Sequence, residues 1–461
     1  MKTKSKQIIL LPIILLLAGC TNNVTPPIED KKEPEYASDT ISDYFKIDYY
    51  RNTEVLNSAE GVVLVSKKKS IPQNIAKINL KWGDDNATLP DYNELISFDN
   101  VNASELEYDF MKNALIPEKA TKLYLEAVDK DNVVVDKATL GFEKYKQKNE
   151  LKYTFQVISD QQIKVGFNAF YRRSKKAFED IKENSKDSIG IFVNGDVVDE
   201  ALTENYKSFY ESYNSVYTNK ETPLYVGIGN HEFIRHNENG NYDGMSESDI
   251  QNKFNERLNL RKKETGHDNQ HFSIEKEDSK FIFLGTTRMP MALGGNTRAD
   301  CYLGEKQLEW LKNEVSSSAD KKIFIMSHGS LRDTVSGSLS KYKQTWYGYS
   351  EQEENKIRDI IKDKKNVYFF SSHSHWCFES ENPYLITENG PSFFNTAAIG
   401  YLWEGSGIGK HYKDGDYENG GAQGLYIEVY DKQIFIKGRE FEDVDGTSKY
   451  WHTGFQTVLD L

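Results

Sequence analysis

The 461-residue sequence predicts two folded regions, a small all-β domain followed by a layered α/β domain. Three observations predict it. Up to about Phe142, apolar residues alternate with polar ones or fall in short β-branched blocks, with no long amphipathic helix. After residue 150 the apolar runs become short and almost uninterrupted, the signature of strands buried on both faces. Segments with apolar residues at helical spacing lie between those runs, and strands alternating with helices imply stacked layers around one core.

The chain opens MKTKSKQIILLPIILLLAGC. Three lysines precede an apolar run from Ile8 to Ala18, which Pro12 interrupts and Gly19 and Cys20 follow. A bilayer-spanning helix needs about 20 apolar residues, so this shorter run reads as the core of a signal peptide. The ending LAGC resembles the lipobox of bacterial lipoproteins, which implies that Cys20 becomes the acylated first residue of the mature chain. An ordinary secretory signal with an incidental cysteine is the alternative. Several acyl chains on one residue anchor a protein stably where a single chain does not. Residues 1–20 are therefore expected to place the protein outside the cytoplasm, lipid-anchored to the bacterial cell membrane. Residues 21–40, TNNVTPPIEDKKEPEYASDT, are polar, charged and Pro-bearing, as a flexible tether is.

Between residues 41 and 145, EGVVLVSKK, IAKINLKW, SELEYDF, ATKLYLEAVD and NVVVDKATLGF read as strands, and GDDN, LPDYN and DKDN supply turns. Short strands at this spacing predict an immunoglobulin- or fibronectin-like β-sandwich of about 100 residues. It holds no catalytic-looking cluster, so a spacer or docking role is the default, with a partner the sequence does not identify. KYKQKNE, residues 144–150, is a charged linker.

Residues 150–461 form the second region. YTFQVIS, GIFVNG, PLYVGIG, KFIFLGT, KIFIMS and NVYFFSS are its buried strands. NAFYRRSKKAFEDIKENS, GEKQLEWLKNEVSSS and QEENKIRDIIKDKK are helices, and after Ala397 GLYIEVYDKQIFIKGREF returns to hairpin strands. A formal net charge of −13 argues against duplex nucleic acid as the main partner. A phosphate-bearing substrate stays compatible, because bound cations can dominate the local field. Beyond Cys20 only Cys301 and Cys377 occur; one disulfide is possible, and free buried thiols are the expectation.

The residues just past the end of each buried strand carry the chemistry. FQVIS runs into Asp160, Gln161 and Gln162, and GIFVN into Gly195, Asp196 and, three residues on, Asp199. PLYVGI runs into Gly229, Asn230, His231 and Glu232, IFIMS into His328, and VYFFSS into His373 and His375. Open α/β sheets build ligand sites at the carboxyl ends of their strands. Any one of these residues alone is more simply a turn cap or a satisfied structural histidine. Five such strand ends, holding four of the chain's nine histidines, point instead to a metal centre.

The series Asp160, GDVVD, GNHE, His328 and SHSH resembles the calcineurin-like metallophosphoesterase superfamily, whose usual pattern is D-x-H, G-D-x-x-D, G-N-H-E/D, a lone H, and G-H-x-H. The likeness runs over residues 150 to 440. It implies a four-layer α/β/β/α sandwich, here with a β-sandwich in front, similar in layout to the purple acid phosphatases. It also implies the ligand sets. One cation would take Asp160, Gln162, Asp196 and His375, and the other Asp196, Asn230, His328 and His373, with Asp196 bridging. Two cations about 3.5–4 Å apart can clamp a phosphoryl group and activate a bridging water, whose hydroxide attacks phosphorus in line with the leaving oxygen. The resemblance makes His231 the proton donor to that oxygen, with Glu232 orienting it. Asp199 reads as a helix cap or as support for the ligand shell.

Gln162 departs from the family pattern, which has histidine there. An amide oxygen is neutral and harder than imidazole, which favours cations that accept oxygen, such as Mn²⁺ or Mg²⁺. A D-x-Q variant also occurs in manganese-dependent relatives acting on ADP-ribose and CDP-alcohols. The resemblance therefore implies two divalent ions, Mn, Fe or Zn with Mn favoured, and a phosphodiester, phosphomonoester or nucleotide substrate. A Mn-dependent nucleotide pyrophosphatase of the ADP-ribose type is the alternative enzyme. A surface-binding lipoprotein with a degenerate metal site is the alternative outside enzymology.

Around the site, residues 235–250 read as a loop containing His236. Arg288 or Arg298 could reach a substrate phosphate or be merely solvated. Trp346, Tyr347 and Tyr349 could stack on a base or sugar, or pack a lid onto the core.

Overall fold

The computed structural model describes residues 43–51, 60–67, 72–83, 93–99, 109–115, 122–141, 151–185, 188–233, 247–267, 269–287, 301–342, 348–404 and 417–461. Cys20, the tether, the linker, His236, Arg288, Arg298, Trp346 and Tyr347 lie outside the described residues. The chain divides after Glu150 into two compact units.

The first unit has strands β1 (Phe45–Arg51), β2 (Glu60–Lys67), β3 (Lys77–Gly83), β4 (Asn93–Asp99), β5 (Asp109–Leu115), β6 (Lys122–Val128) and β7 (Val134–Gly141). They form two antiparallel sheets, ordered β1-β2-β5 and β4-β3-β6-β7. Alternation along β3 and β6 buries Ile78, Leu80, Leu123 and Leu125. The DKDN turn joins β6 to β7, with the Asp129 carboxylate accepting from the backbone N–H of Asp131 and Val133 and Asn132 at φ +60°. SELEYDF falls mostly outside the described residues, and the strand in this stretch begins only at Asp109.

The second unit alternates strands and helices. In order they are β8 (Leu151–Ile158), α1 (Asn168–Asn184), β9 (Ser188–Val193), α2 (Thr203–Asn214), β10 (Leu224–Val226), α3 (Glu247–Thr265), β11 (Phe272–Lys276) and β12 (Ser279–Phe283). The order continues with α4 (Glu305–Ser316), β13 (Lys322–Ser327), α5 (Glu351–Ile361), β14 (Val367–Ser371), β15 (Tyr384–Leu385), β16 (Ser392–Asn395), β17 (Ala422–Tyr430), β18 (Gln433–Glu442) and β19 (Tyr450–Asp460). Two six-stranded mixed sheets result, ordered β10-β9-β8-β17-β18-β19 and β11-β12-β13-β14-β16-β15.

The uninterrupted apolar strands have a simple cause. In β12, β13 and β14, Phe281, Phe283, Phe324, Met326, Tyr368 and Phe370 face the other sheet. Their neighbours Ile282, Ile323, Ile325, Val367 and Phe369 face away, packed with Leu308, Leu311 and Val315 of α4 and Ile357 and Ile361 of α5. Between the sheets Phe155 meets Phe281 and Phe324 edge-on at centroid distances of 5.2 and 5.0 Å. Such pairs add about 0.5–1.5 kcal/mol each beyond the area they bury. The resulting α/β sandwich is the one the sequence pattern predicts, with Cys301 and Cys377 buried as free thiols.

The helices obey local rules. Ser350 caps α5 by accepting from the Glu353 N–H, and Glu351, Glu353 and Glu354 in the first turn suit the positive end of the helix dipole. Two features differ from the sequence reading. Helix α2 was not legible, although Tyr206, Phe209, Tyr210 and Tyr213 line its buried face. The loop read over 235–250 ends early, because α3 starts at Glu247; Ser246 and Asp249 form the S-x-x-D pattern that begins helices.

Candidate metal centre

The ends of β8, β9, β13 and β14 meet at one edge of the two sheets. Past the last strand residues the pairing of β8 and β9 continues, with Asp160 N–H donating to the Gly195 carbonyl and Gln162 N–H to the Asp196 carbonyl, both at 3.1 Å. That carries Asp160, Gln162 and Asp196 onto neighbouring turns. Asn194 ties the sheets together here: its Nδ2 donates to the carbonyls of Ser327 (2.8 Å) and Phe370 (3.2 Å).

The backbone at these turns is unusual. Asp160, Gln162, Asp196, His373 and His375 have φ of +53°, +48°, +53°, +70° and +57°. Non-glycine residues enter that region at a cost and cluster at functional sites. Gly229 is required by space, since a Cβ there would stand 2.1 Å from Asp196 Oδ1 and 2.8 Å from His328 Nε2. The cradle between these two side chains admits only a glycine.

The side chains converge as two adjoining groups. His328 Nε2 lies 3.1 Å from Asp196 Oδ2 and 2.9 Å from Asn230 Oδ1, and the His373 ring is 4.8 Å from the His328 ring. His375 Nε2 lies 3.3 Å from Asp160 Oδ1 and 3.2 Å from the Gln162 amide nitrogen. All seven side chains named from the sequence are buried. Gln162 thus sits beside His375 in the buried cluster, with its amide nitrogen toward the ring.

The second nitrogen of two rings decides what these contacts mean. His328 Nδ1–H donates to the Asn194 carbonyl at 2.9 Å, and His375 Nδ1–H to the Tyr401 carbonyl at 3.0 Å. That leaves each Nε2 lone pair aimed at a carboxylate oxygen, and Asp160 Oδ1 and Asp196 Oδ2 have no hydrogen-bond donor. Lone pairs at such distances repel unless a proton or a cation lies between them. The electrostatics agree. Burial would lower His328, but the Asp196 charge overrides it and pushes the imidazole up to about 10. Burial would raise Asp196, and His328 and His231 hold it below the usual carboxylate range. The donor set, two carboxylates, an amide pair and three imidazoles, fits divalent cations of the Mn or Zn type.

His231 does not join the ligands. Its Nδ1 contacts the Asp199 carbonyl at 2.7 Å, its Nε2 is 3.9 Å from Asp196 Oδ2, and its side chain remains 21% exposed. It is the ring open to an incoming molecule. Burial would lower its affinity for a proton, and Asp196 and the Asp199 carbonyl raise it overall.

Glu232 corrects the sequence reading. It does not orient His231; its carboxylate accepts the backbone N–H groups of Asp196 (3.0 Å), Val197 (2.9 Å) and Gly229 (2.6 Å). It clamps the two ligand turns together, and burial followed by the Asp196 charge pushes it up to about 7. Orientation of His231 comes from the Asp199 carbonyl, while the Asp199 carboxylate pairs with Lys164 at 2.7 Å and caps no helix. Tyr349 is buried with its hydroxyl on Ser327 Oγ at 2.6 Å, so it packs the core and offers no stacking face. Sequence reasoning also missed Asn194 and Ser372, whose Oγ lies 3.0 Å from His328 Nδ1; only the position of Asn194 directly before Gly195-Asp196 hinted at a role.

Among the described residues, two groups of side chains have the proximity to hold an ion: Asp196, His328 and His373, and separately Glu379, Glu440 and His452.

Residues 154–377, which include all seven candidate ligands, match the family model described as calcineurin-like phosphoesterase. No curated protein matches the chain. Among solved structures, that of PhoD is 14% identical with a TM-score of 0.41, over 93% of this chain and 92% of that one. Vacuolar protein sorting 29 from Cryptosporidium parvum is 7% identical with a TM-score of 0.29, over 68% of this chain and 100% of that one. A cold-active protein-tyrosine phosphatase of a psychrophilic Shewanella is 11% identical with a TM-score of 0.24, over 88% and 99%. At these scores the structural likenesses carry no weight, and the family match stands alone.

Proposed function

Taking residues 154–377 as the calcineurin-like phosphoesterase domain they match, and the chain as a phosphoester hydrolase, we propose that it cleaves phosphoric esters at a centre for two divalent cations. The observation that carries this is the pair of buried contacts in which imidazole Nε2 faces carboxylate oxygen, His328 with Asp196 and His375 with Asp160, at 3.1 and 3.3 Å. Asp196, Asn230, His328 and His373 would hold one cation, and Asp160, Gln162, Asp196 and His375 the other. Bound cations supply positive charge for the phosphoryl oxygens and acidify the attacking water.

The chain's own residues do the remainder. The Asn194 and Tyr401 carbonyls fix the tautomers of His328 and His375. Glu232 holds the Asp196 and Gly229 turns in register. His231, held at Nδ1 and open at Nε2, gives a proton to the leaving oxygen. The amide of Gln162 favours manganese, and its place in the ligand set supports a second reading, a nucleotide pyrophosphatase of the ADP-ribose type. In the same proposal Cys20 anchors the protein by lipid outside the cytoplasm, and the β-sandwich spaces the enzyme from the membrane.

The test is Mn²⁺-dependent hydrolysis of bis-p-nitrophenyl phosphate, with p-nitrophenyl phosphate and ADP-ribose alongside and an identically purified Asp196→Ala variant as control. Metal-dependent release that vanishes in the variant is expected. No release above the variant from any of the three would overturn the proposal.

A further inference from the structure

The loop that carries His373 and His375 leaves the end of β14 and crosses to the other sheet. Its first half is held near the centre: Trp403 N–H donates to the His375 carbonyl and Cys377 N–H to the Trp403 carbonyl, both at 2.8 Å. Its second half is held by β17, β18 and β19. Phe378 N–H donates to Gln423 Oε1 at 2.8 Å, and the Phe378 ring lies where a Cβ on Gly438 would clash at 2.7 Å. Next to it, Glu379 Oε1 is 3.1 Å from His452 Nδ1, and Glu440 Oε2 is 2.9 Å from His452 Nε2.

Both ring nitrogens of His452 therefore face carboxylates, unlike those of His328 and His375. Gln423 Nε2 adds contacts to Glu440 Oε2 at 2.8 Å and Glu379 Oε2 at 3.2 Å, and Ala422 N–H donates to Glu440 Oε1 at 3.2 Å. An imidazolium donating on both sides makes both carboxylate contacts attractive without a cation and leaves one opposed contact, Gln423 Nε2 at 3.0 Å from His452 Nε2. Among the described residues, the groups facing His452 include Glu379 on the loop, Glu440 on β18, neutral Gln423 on β17 and the Phe378 ring at 5.3 Å. The charge of Glu404 and the buried Cys377 thiol act on the same corner.

We propose that His452 is a positioning residue for the metal centre: clamped between Glu379 and Glu440, it latches the far end of the loop that presents His373 and His375. The inference rests on the proposed role of those histidines as ligands. The loop holds two strained residues, at φ +70° and +57°, and a strained loop stays in place only if its surroundings over-determine it. The latch supplies one end of that restraint from a different sheet. His452 touches no ligand directly and acts through the loop, so its loss should cost no more than the low end of the about 10–100-fold in metal affinity that a direct hydrogen-bond partner of a ligand contributes.

The experiment is calorimetric titration of Mn²⁺ into the full chain, its His452→Gln variant and its Glu379→Gln variant, at intervals from pH 6.5 to 9 under nitrogen, with kcat and KM measured in parallel. Glu379 is the partly exposed partner, so its variant retains the fold should the buried His452→Gln fail to. Each variant is expected to bind Mn²⁺ about 10-fold more weakly near neutrality, with kcat reduced more than KM is raised. The Glu379→Gln variant should also lose affinity at lower pH than the wild type, because one carboxylate no longer holds the proton on His452. Wild-type affinity and an unmoved pH profile in the folded variants would overturn the latch, whatever their melting temperatures. Loss of one whole binding event with the others unchanged would overturn it too, by making the triad itself a cation site. A wild type that binds no Mn²⁺ would instead contradict the proposed function.

Discussion

Two clusters in the second unit pair imidazole with carboxylate, and they differ in where the other ring nitrogen goes. At the metal centre His328 and His375 give Nδ1–H to backbone carbonyls and turn Nε2 toward Asp196 and Asp160. At the latch His452 puts Nδ1 on Glu379 and Nε2 on Glu440. A single carbonyl separates a ligand, which wants a cation against its carboxylate, from a bridge, which is complete with a proton. Composition cannot distinguish the two clusters, since each is histidine among acids. The hydrogen bond on the second nitrogen does.

The largest expected difference is between Asp196→Ala and His452→Gln. Removing the Asp196 carboxylate should abolish measurable hydrolysis, a loss well beyond about 100-fold, while His452→Gln should cost about 10-fold. Equal losses in kcat/KM for the two variants would erase the distinction between ligand and latch. His231→Ala comes next. As a proton donor it should contribute about 100-fold or more with an alkyl leaving group and much less with p-nitrophenolate, which leaves without help. A loss independent of leaving group would remove His231 from that role.

Stability against pH sharpens the comparison from the other side. Burial would lower His452, but Glu379 and Glu440 override it and push the ring up to about 9 from an ordinary 6.5. A raised group stabilises fully below the unfolded value, so this contribution declines from pH 6.5 upward and is gone above pH 9. Burial would raise Glu379, but hydrogen bonding to His452 brings it down to about 2 from 4.5, so its contribution fades as pH falls from 4.5 towards 2. The stability gap between wild type and His452→Gln, read by denaturant unfolding, should peak between pH 4.5 and 6.5. It should shrink by at most about 3 kcal/mol by pH 9. A gap that does not vary with pH would mean that no charge bridge exists. The smallest effect expected is that of Gln162→His, which restores an imidazole to the ligand set and should shift preference from Mn²⁺ toward Zn²⁺ in competitive binding.

Much of this was legible in the sequence because it is written locally. Apolar runs such as KIFIMS declare strands buried on both faces, and the polar residues that end them declare the edge where the centre lies. Glu232 was misread because GNHE places it beside His231, yet its carboxylate reaches amides of two other turns, which only the folded backbone brings near. The α2 face was missed because Tyr206, Tyr210 and Tyr213 carry hydroxyls and do not register as an apolar stripe. The latch leaves no local trace, since Glu379, Glu440 and His452 come from a loop and two strands that no short motif joins.

The most direct test of the whole account is the metal content of the purified chain, equilibrated with Mn²⁺, desalted and analysed by inductively coupled plasma mass spectrometry. The account predicts about two ions retained per wild-type chain and at most one in Asp196→Ala. A folded wild-type chain that retains no divalent ion would contradict it.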